Sequence, residues 1–335
     1  MQILDLTVDA ATVDRRTQLE ADVRSGLTAP RRTLPSKWFY DARGSALFEE
    51  ITRLPEYYQT RTEAQILEQV ADEIVAAVRP VEIVELGSGS SRKTRLLLDA
   101  LHRAGTGDRY VALDVSRDAL EDALRQLRDA YPWLEAVGVV GDFDHHLDAL
   151  PRRGPGLVAF LGSTIGNLDA HGQARFVADL AAGLAPGDAF LLGVDLVKDP
   201  GVLEAAYDDA AGVTAAFNRN VLEVLRRELD AEIDVDAFRH VASYDRELAR
   251  IEMLLRAERP TALRFPSLDL DVPMAAGDDI RTEISSKFTR PHVEGLLAGA
   301  GLALARWDTD PDARFALALA TPVGASTPPT PRRER

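Results

Sequence analysis

Short apolar runs alternate with longer amphipathic stretches through the middle of the chain, the pattern of parallel strands joined by crossover helices. The runs are 81–86, 110–115, 136–140, 157–161 and 189–196, and segments such as 116–131 and 170–184 carry helical periodicity between them. Five β-α repeats are therefore expected, with Pro186 and Gly187 stopping one helix before the fifth strand. Beyond Leu196 the pattern changes: 200–257 reads as mostly helical and 264–272 alternates with period two, which marks an insertion. The repeat resumes with a helix at 291–301, then strands at 302–308 and 315–321 joined by a turn containing Asp310 and Pro311, a closing antiparallel pair at the sheet edge. The region before Ala64 has its own aromatic cluster and no place in the repeat, so it is grouped with the insertion. The expected division is one domain from 63–196 and 289–322, a second lobe from 1–62 and 197–288, and a disordered tail at 323–335, rich in Pro, Ser, Thr and Arg.

The length of 335 residues supports two lobes, since one hydrophobic core usually stops growing at roughly 250 to 300 residues. With 46% hydrophobic and 28% charged residues the chain has the composition of a folded globular protein. Its net charge of −15 disfavours binding to nucleic acid and anionic membranes and favours a small-molecule partner. The absence of cysteine excludes disulfides, thiolate catalysis and Cys-ligated metals. The first residues, MQILDLTVDAATVDRR, have neither a basic leader nor an apolar core, and no apolar run reaches about 18 residues, so a cytoplasmic protein is expected.

The first strand runs into Glu85-Leu86-Gly87-Ser88-Gly89-Ser90-Ser91, a small-residue turn before a helix, where a ligand can approach the backbone closely. The dinucleotide fingerprint would require a third glycine where Arg92 stands, and no Gly-Lys-Ser/Thr follows. Together with Asp114 after the second strand and Gly141-Asp142-Phe143 after the third, the turn resembles that of the class I S-adenosylmethionine (SAM)-dependent methyltransferases. Asp114 can accept two ribose hydroxyls, Asp142 the adenine amino group, and Phe143 offers the base an apolar or backbone contact.

A more specific resemblance follows from Lys37-Trp38-Phe39-Tyr40-Asp41, Gly44-Ser45-Ala46-Leu47-Phe48, Leu54-Pro55-Glu56-Tyr57-Tyr58 and Arg61-Thr62-Glu63. With Gly162-Ser163-Thr164-Ile165-Gly166-Asn167, Val194-Asp195-Leu196-Val197-Lys198 and Glu283-Ile284-Ser285-Ser286-Lys287-Phe288, the chain resembles the histidine Nα-methyltransferases of ergothioneine biosynthesis from about residue 34 to 321. The resemblance implies a Rossmann-like, mostly parallel seven-stranded sheet with an antiparallel last strand, plus a discontinuous substrate-binding lobe. It implies trimethylation of L-histidine to hercynine, with SAM as cofactor, S-adenosylhomocysteine as product, no metal, and a monomer. It places Gly87, Lys93, Asp114, Asp142 and Phe143 at the cofactor, Lys93 being suited to the methionyl carboxylate. Asn167 and Tyr207 fall on positions that hold the histidine carboxylate, Glu283 and Ser285 on those that hold the imidazole, and Tyr57 on a substrate-site tyrosine. Tyr40, Phe48 and Met253 match pocket neighbours.

By themselves Asn167 reads as a turn residue, Tyr207 as a packing residue, Trp38, Phe39 and Phe48 as core, and His145-His146 as a solvated loop. Methyl transfer needs a neutral amine, so a phenol near the nitrogen suits the chemistry; Tyr40 and Tyr57 are the candidates, and the residues do not choose between them.

Overall fold

The structure, a computed structural model, describes residues 2–6 and 15–324. Along the chain the strands are β1 (Gln2–Asp5), β2 (Glu82–Leu86), β3 (Arg109–Asp114), β4 (Glu135–Val140), β5 (Gly156–Phe160), β6 (Ala189–Asp195) and β7 (Glu232–Ile233). They continue as β8 (Phe238–Asp245), β9 (Arg250–Ala257), β10 (Thr261–Phe265), β11 (Leu270–Met274), β12 (Asp279–Ser286), β13 (Leu302–Thr309) and β14 (Phe315–Pro322). Two compact units are formed, one from 2–6, 59–197 and 288–324, the other from 15–58 and 198–287.

The first unit is built on an eight-stranded sheet in the order β1-β4-β3-β2-β5-β6-β14-β13. Strands β1 to β6 pair in parallel, and β14 runs antiparallel to both β6 and β13. Every residue of β2, β5 and β6 is buried, which is why they read as unbroken apolar runs: helices cover both faces. On one face pack Ile66, Leu67 and Ile74 of helix Gln59–Val78 with Leu97 and Leu101 of helix Thr94–Ala104. On the other pack Phe176 and Leu180 of helix Ala170–Ala182 with Val293 and Leu297 of helix Arg290–Gly299. The strand order reverses between β2 and β5, and open α/β sheets bind ligands outside the carboxyl ends of their strands at such a point. The Gly87 turn leaves β2 there.

This is the expected Rossmann-like sheet with one strand more. Gln2–Asp5 is not part of the second lobe: it pairs with β4 at the sheet edge, Gln2 opposite Val137 through Asp5 opposite Val140. Of the expected tail, Val323 and Gly324 form a turn in which the Val323 amide donates to the Gly301 carbonyl at 2.9 Å, and 325–335 lie outside the described residues.

The second unit packs helix Val213–Leu229 against the antiparallel sheet β12-β9-β8, with Phe39, Phe217, Val221, Leu255 and Ile280 in its core. The expected helical stretch 200–257 is helical only through Leu229; β7, β8 and β9 occupy most of the rest. The segment 264–272 divides between β10 and β11, an antiparallel pair turned at Pro266–Leu268. Trp38 and Phe39 are buried core residues and Phe48 packs partly buried against them.

Candidate active site

The cofactor-side residues all belong to the first unit. Gly87 and Gly89 adopt φ of +66° and +48°, a left-handed backbone that glycine takes without steric cost, and a Cβ added at either would meet nothing within 4 Å. The turn is fixed from below. The amides of Gly87 and Ser88 donate to the Leu113 carbonyl, at 2.8 and 3.1 Å. Asp114 accepts from the Gly89 amide at 2.8 Å through Oδ2 and from the Ser116 amide at 2.9 Å through Oδ1. Burial raises the Asp114 pKa, and these backbone amides oppose that shift. A carboxylate offers about four acceptor sites, so two amides leave capacity for the two ribose hydroxyls. The open space beside the glycines and the carboxylate at its rim fit a nucleoside cofactor.

Beneath the turn, buried Glu85 accepts from the Tyr110 hydroxyl, and Tyr110 lies 2.8 Å from Ser91 Oγ. Desolvation raises the Glu85 pKa to about 7. Its folded value thus exceeds the unfolded one, so the bound proton stabilises the fold fully below the unfolded pKa near 4.5, and that stabilisation is lost as pH rises through about 7. Glu85→Gln keeps an acceptor for Tyr110 and is expected to gain up to about 3 kcal/mol on the wild type between about pH 5 and about pH 8. Denaturant midpoints of both proteins across that range check it; parallel curves would contradict it.

Lys93, expected at the methionyl carboxylate, is paired in this structure with Glu63, whose side chain is wholly buried. The same carboxylate accepts the Gly162 amide at 2.9 and 3.0 Å. Gly193 on β6 makes the room: a Cβ there would stand 2.0 Å from Glu63 Oε1. Glu63, which closes the Arg61-Thr62-Glu63 motif, is the anchor of Lys93 and Gly162.

Asp142 Oδ1 accepts from the Asp144 amide at 2.9 Å, and its own amide donates to His146 Nδ1 at 3.0 Å, so the two histidines belong to the loop that carries Asp142. The Phe143 ring packs on Phe160 and Phe176, with centroids at 5.1 and 5.7 Å. Phe143 also borders a recess of about 440 Å³ with Leu147, Phe176 and Leu180, which none of the other cofactor-side residues lines. Asn167 ends the short turn Thr164–Asn167, half-buried, after Ser163 at φ +58°.

The remaining substrate-side residues belong to the second unit. Tyr207 ends helix Pro200–Tyr207, and its hydroxyl lies 2.7 Å from Ser285 Oγ on β12. Lys287 Nζ donates to both, at 3.0 Å to Tyr207 and 2.9 Å to Ser285. Glu283 stands opposite Met253 of β9 after a bulge at Arg281. Its carboxyl is half-buried, and desolvation raises its pKa to about 7 against the lowering influence of Lys287. Tyr40 lies edge-on to Phe48 and Phe217, Phe48 to Tyr57, and Tyr57 to Tyr207, with centroids 5.6 to 6.4 Å apart. Phe217 joins this aromatic group from helix Val213–Leu229, and no motif singled it out.

Tyr207 is held from behind by a buried chain of donors. Thr282 Oγ1 donates to Asn218 Oδ1 at 2.6 Å, and Asn218 Nδ2 lies 2.8 Å from His240 Nδ1. His240 Nε2 meets the Tyr207 carbonyl at 2.8 Å, which makes Nε2 the protonated nitrogen and Nδ1 the acceptor from Asn218. Burial lowers the His240 pKa, which favours this neutral form. The chain fixes the end of the helix and with it the direction of the phenol.

Residues 19–322 match the family described as "Histidine-specific methyltransferase, SAM-dependent". The histidine N-alpha-methyltransferase of Mycolicibacterium smegmatis is 54% identical over 90% of this chain and 94% of its own length. That of Mycobacterium tuberculosis is 50% identical over the same shares. Ergothioneine biosynthesis protein 1 of Neurospora crassa is 33% identical over 88% of this chain, which aligns with 35% of that longer protein. With its methyltransferase sheet and its glycine turn over Asp114, the chain belongs to the family of histidine-specific, SAM-dependent methyltransferases.

Proposed function

We propose that this protein transfers methyl groups from SAM to the α-nitrogen of L-histidine, three times in succession, giving hercynine, the first step of ergothioneine biosynthesis. The observation that carries the reading is identity of 54% and 50%, along nearly the whole chain, to two proteins named histidine N-alpha-methyltransferase. The sulfonium supplies both the methyl carbon and its own leaving group. The protein's task is to hold a neutral amine in line with that carbon, and alignment of this kind can contribute several kcal/mol, with about 7 to 11 as the upper range.

The anchors must survive three changes at the amine, because each methylation removes a donor and the last leaves a quaternary cation. Asn167 and Tyr207 hold the carboxylate and Glu283 and Ser285 hold the ring, so no anchor depends on the nitrogen's state. Gly87, Asp114, Asp142, Phe143 and Lys93 hold the cofactor; the Glu63 pair fixes the Lys93 ammonium. The rings of Tyr40, Phe48 and Tyr57, half-buried and edge to face, suit a nitrogen that becomes a quaternary cation. The protein acts as a monomer and needs no metal. Among the described residues no helix is long and apolar enough to cross a membrane.

Competition among amino acids tests the acceptor: S-adenosylhomocysteine should form with L-histidine in preference to all others, and preference for another amino acid would refute the reading. Tyr40 or Tyr57, directly or through water, contacts the amino group and helps its proton leave to solvent. At least one of Tyr40→Phe and Tyr57→Phe is expected to lower the single-turnover rate by about 100-fold or more and to change its pH profile. Two variants with wild-type rates at every pH would remove the phenol from the mechanism.

A further inference from the structure

Gln59 falls between two of the quoted motifs and opens the helix Gln59–Val78 of the first unit. Its side chain is only 2% exposed, yet neither Oε1 nor Nε2 meets a hydrogen-bond partner among the described residues. Burying an amide without a partner is costly, so a fold that keeps one requires a reason. The place of the residue supplies it. Gln59, Glu63, Ile66, Leu67, Val70 and Ile74 form the buried face of the helix, at the three- and four-residue steps of one stripe. Ile66, Leu67 and Ile74 pack in one core with Ile83, Leu157 and Leu191 of β2, β5 and β6. The far end of the helix precedes β2 by residues 79–81, so the helix runs antiparallel to that strand and its first turn lies toward the carboxyl ends. Glu63 already reaches the amide of Gly162, just past the end of β5. Gln59 stands one turn, about 5.4 Å, farther out on the same face, and helical side chains lean toward the N-terminus, away from the strands. That is where open α/β sheets bind their ligands.

We propose that Gln59 is a further cofactor-binding residue, whose amide holds the amino-acid end of SAM beside Lys93. The proposal rests on the reading that Lys93 serves the methionyl carboxylate. That end of the cofactor carries an anion and a cation together, and a primary amide offers donors for the one and an acceptor for the other. The charged residues below cannot take both parts, since the Glu63 carboxylate already serves the Lys93 ammonium and the Gly162 amide. A neutral side chain completes the set without adding a charge to this buried pair, where an extra charge would be costly.

Calorimetric titration with S-adenosylhomocysteine and with 5′-methylthioadenosine, which has the nucleoside and the sulfur without the amino-acid end, tests the assignment. Gln59→Leu and Gln59→Met keep the bulk and remove both polar atoms. Each is expected to weaken S-adenosylhomocysteine roughly tenfold or more while the affinity for 5′-methylthioadenosine stays within about twofold. A residue that only packs the helix would not tell the two ligands apart. A smaller loss for S-adenosylhomocysteine overturns the proposal, as does an equal loss for both ligands. If neither variant folds, the glutamine serves the fold and the proposal is likewise overturned. Lys93→Met separates this from failure of the underlying reading. Should it lose no more affinity for S-adenosylhomocysteine than for 5′-methylthioadenosine, the amino-acid end does not lie at Lys93 and that reading falls; should it distinguish the ligands while the Gln59 variants do not, only the role of the glutamine is overturned.

Discussion

Glu283→Ala is expected to raise the KM for histidine by roughly 10- to 150-fold, the loss of a hydrogen bond between an ionised carboxylate and a ring N–H being worth about 1.5 to 3 kcal/mol. The same change should narrow the preference for histidine over phenylalanine and tryptophan. Wild-type Glu283 must give up solvent to receive any ring, and an apolar ring returns no hydrogen bond for it. Alanine removes that penalty and opens space beside Met253, its neighbour across the β9–β12 pair, which is 1% exposed. The carboxyl's pKa of about 7 adds a pH dependence: ionised Glu283, the better acceptor, prevails above that value, so histidine binding to the wild type should weaken as pH falls below it and the alanine variant should lack this limb. Kinetics with histidine and with phenylalanine over a pH series decide the matter. Wild-type histidine KM and unchanged discrimination in Glu283→Ala would contradict it.

Glu63→Ala should be the most damaging single change to the first unit, costing about 3 to 5 kcal/mol. The wholly buried carboxylate serves the Lys93 ammonium and the Gly162 amide together, and its removal leaves a cation and a backbone N–H without their partner. A cavity against Gly193 adds to the loss, since that glycine leaves space for the carboxylate and for nothing else. Glu63→Gln keeps an acceptor for Gly162 and fills the cavity, so its loss should be smaller. In both variants the SAM KM should rise, because Lys93 no longer has the partner that fixes its ammonium. Denaturation midpoints with and without SAM provide the check, and an alanine variant within about 1 kcal/mol of the wild type would contradict this account of the hub.

The parallel sheet was legible because strands buried on both faces are continuous apolar runs, and β2, β3, β5 and β6 stand out against helices with polar faces. The turn at Gly87 was legible for a related reason: small residues between a strand and a helix mark a backbone that must bend closely. β1 was not, since four residues, Gln2 to Asp5, carry no period, and only the free edge of β4 makes them a strand. β9 reads Arg-Ile-Glu-Met-Leu-Leu-Arg-Ala, a composition that favours helix, and its pairing with β8 and β12 overrides that preference. The pairing of Lys93 with Glu63 was not legible, because nothing local reveals that carboxylate, which fits against a glycine at 193, far along the chain. Lys287 and His240 were silent for the same reason: a lysine or histidine acquires meaning from the hydroxyl or carbonyl that it meets, and those partners come from other elements.

The identity and position of the methylated nitrogen bear most directly on the central claim. Incubation with L-histidine and SAM, followed in time by mass analysis with fragmentation, should show products carrying one, two and three methyl groups, all on the α-nitrogen, with the trimethylated species accumulating last. Methylation on the imidazole ring, or no methylated histidine at all, would contradict it.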